Sequence, residues 1–301
     1  MQTILIPGTT VPNWAAAVPN GESIVLDGLP NAMYHGTKAL ISKSALDLFA
    51  RSPAHFHYAV HNPLPPDEPG DREEHFIIGA AFHSYVLEPD VFKKEFVVLP
   101  DFGDMRSSRN RAIRDKWLDD KHPGKDPLTA RQMAVVEGMR DGLYRNVRIR
   151  RALENGSPEV TCAVRCPHTG LLRKCRWDWL SEAEGIAIDL KSARDGQPNV
   201  WRREAATRRY NVQDTYYTET GKLCNIDIDG MGFAVVEKEP PYASGLYTLD
   251  ATARLAGEMH YMRELEGIAE RCATNRWESY GDDAMELELP PYATSIVKNM
   301  P

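Results

Sequence analysis

The chain has 301 residues, 42% of them hydrophobic and 26% charged, enough apolar material for one large or two small domains with buried cores. A formal charge of −7 excludes the uniform basicity of a protein that coats nucleic acid, but it leaves room for a local basic surface. No run approaches the about 18 consecutive apolar residues of a membrane-spanning helix, so no membrane partner is expected. The N-terminus lacks the basic and apolar regions of a signal peptide, and a cytoplasmic setting is expected. The cysteines at 162, 166, 175, 224 and 272 form no C-x-x-C pair. They read as buried free thiols rather than a zinc ribbon or a redox couple.

Residues 1–35 are rich in Pro, Gly and Asn without a sustained period and read as an extended arm, leaving a single domain over 36–301. ISKSALDLFARSPAHF predicts a helix capped by Ser42 or Ser44, striped by Leu46, Leu48 and Phe49, and stopped at Pro53. A Pro-rich acidic connector spans 61–74, and residues 75–88 read as a largely buried helix ending at Pro89. Between 106 and 151 there are 13 Lys or Arg against 6 Asp or Glu, on a pattern that fits two or three helices. Taken alone, such a run describes a solvated, salt-bridged face.

From Glu159 the period becomes two. EVTCAVRC, LLRKCRWDWL and GIAIDLKSA predict a three-strand antiparallel meander, turning first at His168-Thr169-Gly170 and again at 181–184. Helices follow near 198–220, then strands at 232–238 and near SGLYTL, and a long helix over 250–272. Asp227-Ile-Asp229-Gly230 resembles the start of a calcium loop, but its twelfth position is Lys238 and not glutamate, so it reads as a turn. The pattern as a whole predicts a single α/β or α+β domain.

Side-chain parity brings candidate chemistry together. Ile186, Ile188 and Leu190 form an apolar face, and Asp189 and Lys191 come out opposite. On the preceding strand Cys175, Trp177 and Trp179 share one face by alternation, and Lys174, Arg176 and Asp178 the other. Folding the hairpin near 183 or 184 sets Asp178 across from Asp189. Facing carboxylates repel unless a cation or a lysine lies between them. Glu159 adds a third acid. His83 lies on the expected buried stripe with Gly79 and Leu87, where a histidine is ordinarily a core residue. Gln213 and Tyr217 are one helical turn apart.

In this order, G-x-x-x-H from Gly79 to His83, Glu159, Asp178, Asp189-Leu190-Lys191 and Q-x-x-x-Y from Gln213 to Tyr217 resemble a RecB-type PD-(D/E)XK nuclease. RKCRWDWL, YNVQDTYYTE, ISKSALDLFARSPAHF and LAGEMHYMRELEGIAE are similar to the RecE (exonuclease VIII) nuclease-domain family, over roughly 36–292. One departure is Trp177 where that signature has proline; the aspartate after it carries the chemistry.

The resemblance implies an α/β (α+β) restriction-endonuclease-like core, a central mixed sheet flanked by helices, and a magnesium-dependent exonuclease, with Mn²⁺ able to substitute. It would digest linear duplex DNA from 5′ to 3′ and leave 3′ single strands for recombination. It implies Asp178, Asp189, the Leu190 carbonyl, Glu159 and His83 as metal ligands. Lys191 would position water and stabilise developing charge, and Gln213 and Tyr217 would orient Lys191 or the phosphate. Arg106, Arg109, Arg111, Arg114, Arg202, Arg203, Arg208 and Arg209 become the expected phosphate-contacting surface. A homo-oligomeric ring, with a tetramer favoured, and a single-strand annealing protein are the expected protein partners. The rival readings are an endonuclease on the same site, a Cas4-like enzyme whose iron–sulfur cluster would need four suitably placed cysteines where the tail supplies only Cys272, and a non-catalytic DNA-binding module.

Overall fold

The computed structural model describes residues 2–62, 74–281 and 283–289. The chain begins with β1 (Ile24–Leu26) and α1 (Asn31–Gly36), then α2 (Lys43–Arg51), α3 (Pro53–His61) and α4 (Glu74–Leu87). After α5 (Pro89–Glu95), β2 (Phe96–Val98) and β3 (Asp126–Leu128) flank α6 (Ser108–Lys121). Helices α7 (Ala130–Tyr144) and α8 (Val147–Glu154) lead to the meander β4 (Ser157–Arg165), β5 (Leu172–Ser181) and β6 (Ile186–Ala193). The fold closes with α9 (Pro198–Thr207), α10 (Tyr210–Leu223), β7 (Gly230–Glu237), β8 (Ser244–Tyr247) and α11 (Ala251–Thr274).

The main sheet has the order β1-β4-β5-β6-β7-β8, antiparallel throughout except for the parallel β6–β7 pair. That parallel pair is covered on both sides, so β7 reads as the unbroken apolar run FAVV. Ala234 and Val236 join a core with Ile188, Leu190, Phe82, Met139 and Ile149, supplied by α4, α7 and α8. Phe233 and Val235 pack the other way, against Trp201 of α9. Helix α10 crosses this second face, with α11 packed outside it.

Several elements depart from expectation for local reasons. Pro53 stops one helix and starts the next. It sits in the first turn of α3, where its missing N–H costs nothing, and Ser52 caps that helix by accepting from His55 N at 3.2 Å. Ser42 caps α2 as expected, accepting from Ala45 N. The segment read as an extended arm is built into the body. Ile6, Ala15 and Val18 are buried, β1 extends the sheet beside β4, and Ile4 bridges to Leu171. The expected 61–74 connector lies almost wholly outside the described residues. The basic segment holds three helices, of which α6 buries no residue, plus the short strand β3 that periodicity did not signal. Four cysteines are buried and Cys272 is half-buried, all as free thiols. Among the described residues, no helix is long and apolar enough to cross a membrane.

The expected shared face of Trp177 and Trp179 is a correction that matters for the site. Trp177 packs with Val160, Cys175 and Ile226, while Trp179 packs with the α4–α7 core on the opposite side of the sheet. The β4–β5 ladder pairs Pro158 with Trp179 and Val160 with Trp177, which leaves Glu159 across from Asp178 without a regular pairing. Glu159 adopts a left-handed φ of 51° there, a conformation rare for a residue with a Cβ. The alternation of the hairpin therefore slips at this one step, and the slip frees both carboxylates.

Candidate active site

The slip at Glu159 and Asp178 faces α4, where His83 stands. His83 Nε2 is 2.8 Å from Asp178 Oδ2, and its Nδ1 is 3.8 Å from Glu159 Oε1. One donor atom from each of His83, Glu159 and Asp178 lies within 4.8 Å of the other two. The His83 side chain is 32% exposed, so it opens to solvent and is not the core residue that its stripe alone would suggest.

Asp189 completes the neighbourhood from β6. Continuing the β5–β6 register, in which Trp179 faces Ile188, carries Asp178 to the level of Asp189. The strands have begun to part there, and the Leu190 N–H donates to Asp178 Oδ2 at 2.7 Å. Leu190 was expected to offer its carbonyl to a metal; the contact that the structure supplies is this N–H. Asp189 is buried. Its Oδ2 meets the Lys191 ammonium at 2.5 Å, and its Oδ1 accepts from Gln213 Nε2 at 2.7 Å. Asp189 is turned toward α10 and is not one of the three clustered donors.

Two residues outside the expected set support these. Arg176 Nη1 is 3.4 Å from Glu159 Oε2, and the same guanidinium donates to Thr161, Asn31 and the Leu29 carbonyl. The ring of Tyr210 lies under Lys191, with Nζ 5.1 Å from its centroid. Arg176 was legible, being in step with Asp178 on its strand. Tyr210 carries no such signal, because only the packing of α10 on β6 brings it close. Tyr217 lies one turn along α10 from Gln213, where burial raises its pKa and Tyr34, Cys175, Asp189 and Asp178 add to the rise. Asp214 of the same helix accepts from Met231 N and Thr218 and pairs with Arg254, so it ties α10 to β7 and α11.

The electrostatics follow from crowding acids in a half-dry site. Burial alone would lower the His83 pKa, but Asp178 and then Glu159 raise it to about 9. Burial raises Glu159 to about 7, with Asp178 adding to the rise and His83 and Arg176 opposing it. For Asp178, burial is outweighed by His83, Lys191 and the Leu190 N–H, and its pKa falls. Burial keeps Asp189 above the usual carboxylate range against the pull of Lys191. Burial also works against charge on Lys191, yet Asp189 and Asp178 hold it protonated.

The donor set suits a hard divalent cation. It brings two carboxylates and an imidazole together, with a third carboxylate, Asp189, beside them and paired with Lys191. A cation there would offset the repulsion from Asp178 that adds to the effect of burial on Glu159.

The expected DNA-contacting arginines divide. Arg106, Arg109, Arg111, Arg202, Arg203 and Arg208 are exposed. Arg111 folds back onto the carbonyls of Met105 and Arg106, Arg114 pairs with Asp115, and Arg208 with Glu204. Arg209 departs from the surface role. At a left-handed φ of 54° between α9 and α10, its guanidinium is tied to Asp47 and Glu264.

No curated protein matches this sequence. A solved structure from Eubacterium rectale, described as a "putative exonuclease", shares the fold at a TM-score of 0.51 and 12% identity, over 90% of this chain and 97% of that one. The family model for a PDDEXK-like domain of unknown function, DUF3799, matches residues 42–284 and so takes in His83, Glu159, Asp178, Asp189, Lys191 and Gln213. The chain belongs to this PDDEXK-like family.

Proposed function

We propose that the protein is a magnesium-dependent nuclease that hydrolyses DNA phosphodiesters, acting as a 5′-to-3′ exonuclease on linear duplex ends. The observation that carries this reading is the clustering of His83, Glu159 and Asp178 within 4.8 Å beside the buried Asp189–Lys191–Gln213 group. Asp178, Glu159 and His83 would hold Mg²⁺, with Asp189 at its edge. Bound there, the ion supplies a water of lowered pKa and neutralises charge on the phosphate.

The remaining work falls to side chains of this chain. Lys191 stays protonated and presents its ammonium to a phosphate oxygen, where it stabilises the charge that develops in the transition state. Asp189 and the Tyr210 ring fix where that ammonium points, and Gln213 holds the Asp189 carboxylate. Arg176 steadies Glu159. Exposed Arg109 of α6 and Arg202 and Arg203 of α9 offer phosphate contacts that carry affinity without reading sequence. A closed homo-oligomer around the duplex and a single-strand annealing partner belong to the same proposal.

The test is digestion of linear duplex labelled separately at its 5′ and 3′ ends, with covalently closed circles alongside, in Mg²⁺ or EDTA. Magnesium-dependent loss from the 5′ end with circles spared is expected. Cutting of closed circles would make it an endonuclease on the same site. Binding without cleavage in Mg²⁺ or Mn²⁺ would make it a non-catalytic module.

A further inference from the structure

A second site opens between α1, α2, α3 and β5. It is a cavity of about 200 Å³, lined on its polar side by Lys174, Lys38, His35, Ser42, Ser44 and Tyr217. None of its described lining residues is a carboxylate. Lys174 is only 3% exposed, an environment that disfavours an ammonium without a counter-charge. Its described partners are the Tyr34 and Thr37 carbonyls and the face of the Tyr34 ring, all of them neutral. Burial lowers its pKa to about 7, and the charged neighbours that act on it, Lys38 and then Arg176, are both positive and add to the fall. His35 is shifted down by burial and then by Lys174, Arg176 and Lys38. Two lysines, an imidazole and two serine hydroxyls thus face one small cavity whose described walls contain no negative charge.

The cavity adjoins the nuclease site. Lys174 and Arg176 lie over the same Tyr34 ring, at 4.4 Å and 4.1 Å from its centroid, and Arg176 reaches Glu159 at 3.4 Å. Tyr217 lines the cavity and also feels the charges of Asp189 and Asp178. Tyr34 and Arg176 thus join the wall of this cavity to Glu159 of the acidic cluster.

We infer that this cavity is a phosphate-binding subsite, in which Lys38 and Lys174 take a second phosphate of the nucleic-acid strand while the first is hydrolysed. The assignment rests on the nuclease reading for the identity of the strand, but not for the affinity of the cavity for phosphate. Serine hydroxyls also donate to phosphate oxygens, and the remainder of the wall, Leu48 and Phe56 included, is apolar. The phosphate is either the monoester at a strand end or an internal diester.

The experiment uses the full chain with Mg²⁺ and linear duplexes that differ only in a 5′-phosphate or a 5′-hydroxyl end. Lys174→Met could disturb α1 through its carbonyl contacts, so Lys38→Ala, at a half-exposed position, carries the test, with circular dichroism to confirm folding. Loss of one charge-assisted phosphate contact should raise KM about tenfold, with a smaller effect on kcat. If the wild type prefers the 5′-phosphate and Lys38→Ala abolishes that preference, the subsite takes the terminal monoester. If KM rises equally on both ends, it takes an internal diester. An unchanged KM in folded Lys38→Ala overturns the assignment. Calorimetric titration with inorganic phosphate separates this failure from failure of the nuclease reading. Binding that Lys38→Ala weakens about tenfold, in a protein that cuts nothing, keeps the subsite and removes the nuclease. Normal cutting with phosphate binding indifferent to Lys38 does the reverse.

Discussion

Replacing Lys191 by methionine in metal-free protein isolates the energetics of the acidic cluster. Asp189 is 2% exposed and the Lys191 side chain 24%, with 2.5 Å between their charged atoms. Removing one member of a buried pair costs about 3–5 kcal/mol, because the other charge is left uncompensated. Lys191 is a quarter exposed and Gln213 still donates to Asp189, so the low end applies, about 3 kcal/mol. With a urea m-value of about 3 kcal/mol/M, the unfolding midpoint in EDTA should fall by about 1 M at pH 7.5. Adding Asp189→Asn removes the stranded charge and should restore most of the loss. The pH dependence has a definite sign. Asp189 already has a raised pKa and loses its nearest cation, so the folded variant takes up a proton before the unfolded chain does. The deficit therefore shrinks as pH falls and is largest where Asp189 is ionised in both states. A deficit under about 1 kcal/mol, or a double variant no more stable than the single, would refute the claim that this ion pair is buried and mutually dependent.

Protons and metal compete for the same donors. Glu159 titrates at about 7 and His83 at about 9, so Mg²⁺ affinity should climb steadily through that interval and protons should be released on binding at neutral pH. Calorimetry in two buffers of different ionisation enthalpy counts those protons, and an affinity independent of pH would remove both residues from the ligand set. Arg109→Ala and Arg202→Ala should each reduce the slope of log Kd against log salt by about 1 if each side chain neutralises one phosphate; an unchanged slope returns that residue to ordinary surface. Gly257 lies where α11 crosses α10, and a Cβ there would stand 2.2 Å from the Asn211 carbonyl oxygen. Gly257→Ala should cost about 3 kcal/mol by forcing the helices apart, read as a drop in denaturation midpoint with unchanged metal affinity.

Much of the site was legible because strand parity is a local property. The apolar set Ile186, Ile188 and Leu190 does face the α4–α7 core, so Asp189 and Lys191 had to emerge together on the opposite side. The hairpin turn between β5 and β6 is short, which made the level of Asp178 against Asp189 countable along the chain. The same parity failed at Trp177 and Trp179. The break falls where β5 lies across from Glu159 of β4, and that glutamate carries no mark in the sequence of the left-handed conformation it adopts. Arg209 was misplaced for a related reason. It lies beside exposed Arg208 in sequence, yet the reversal between α9 and α10 turns its guanidinium onto Asp47 and Glu264.

By itself, the order and period of the residues determined the alternation of helices with an antiparallel meander, the apolar and polar faces of β6, the concentration of positive charge over 106–151 and the pattern of acids, lysine and glutamine that marks the family. Each of these depends on neighbours a few positions away. Only the tertiary structure decided that His83 meets Asp178 across 95 positions of chain, that Asp189 turns toward Gln213 and away from the three clustered donors, and that Lys174 lies buried over Tyr34 in a cavity whose described walls hold no acid. Contacts of that span follow from how α4, α10 and the N-terminal segment pack on the sheet, and packing is settled by the shapes of whole surfaces rather than by any local run of residues.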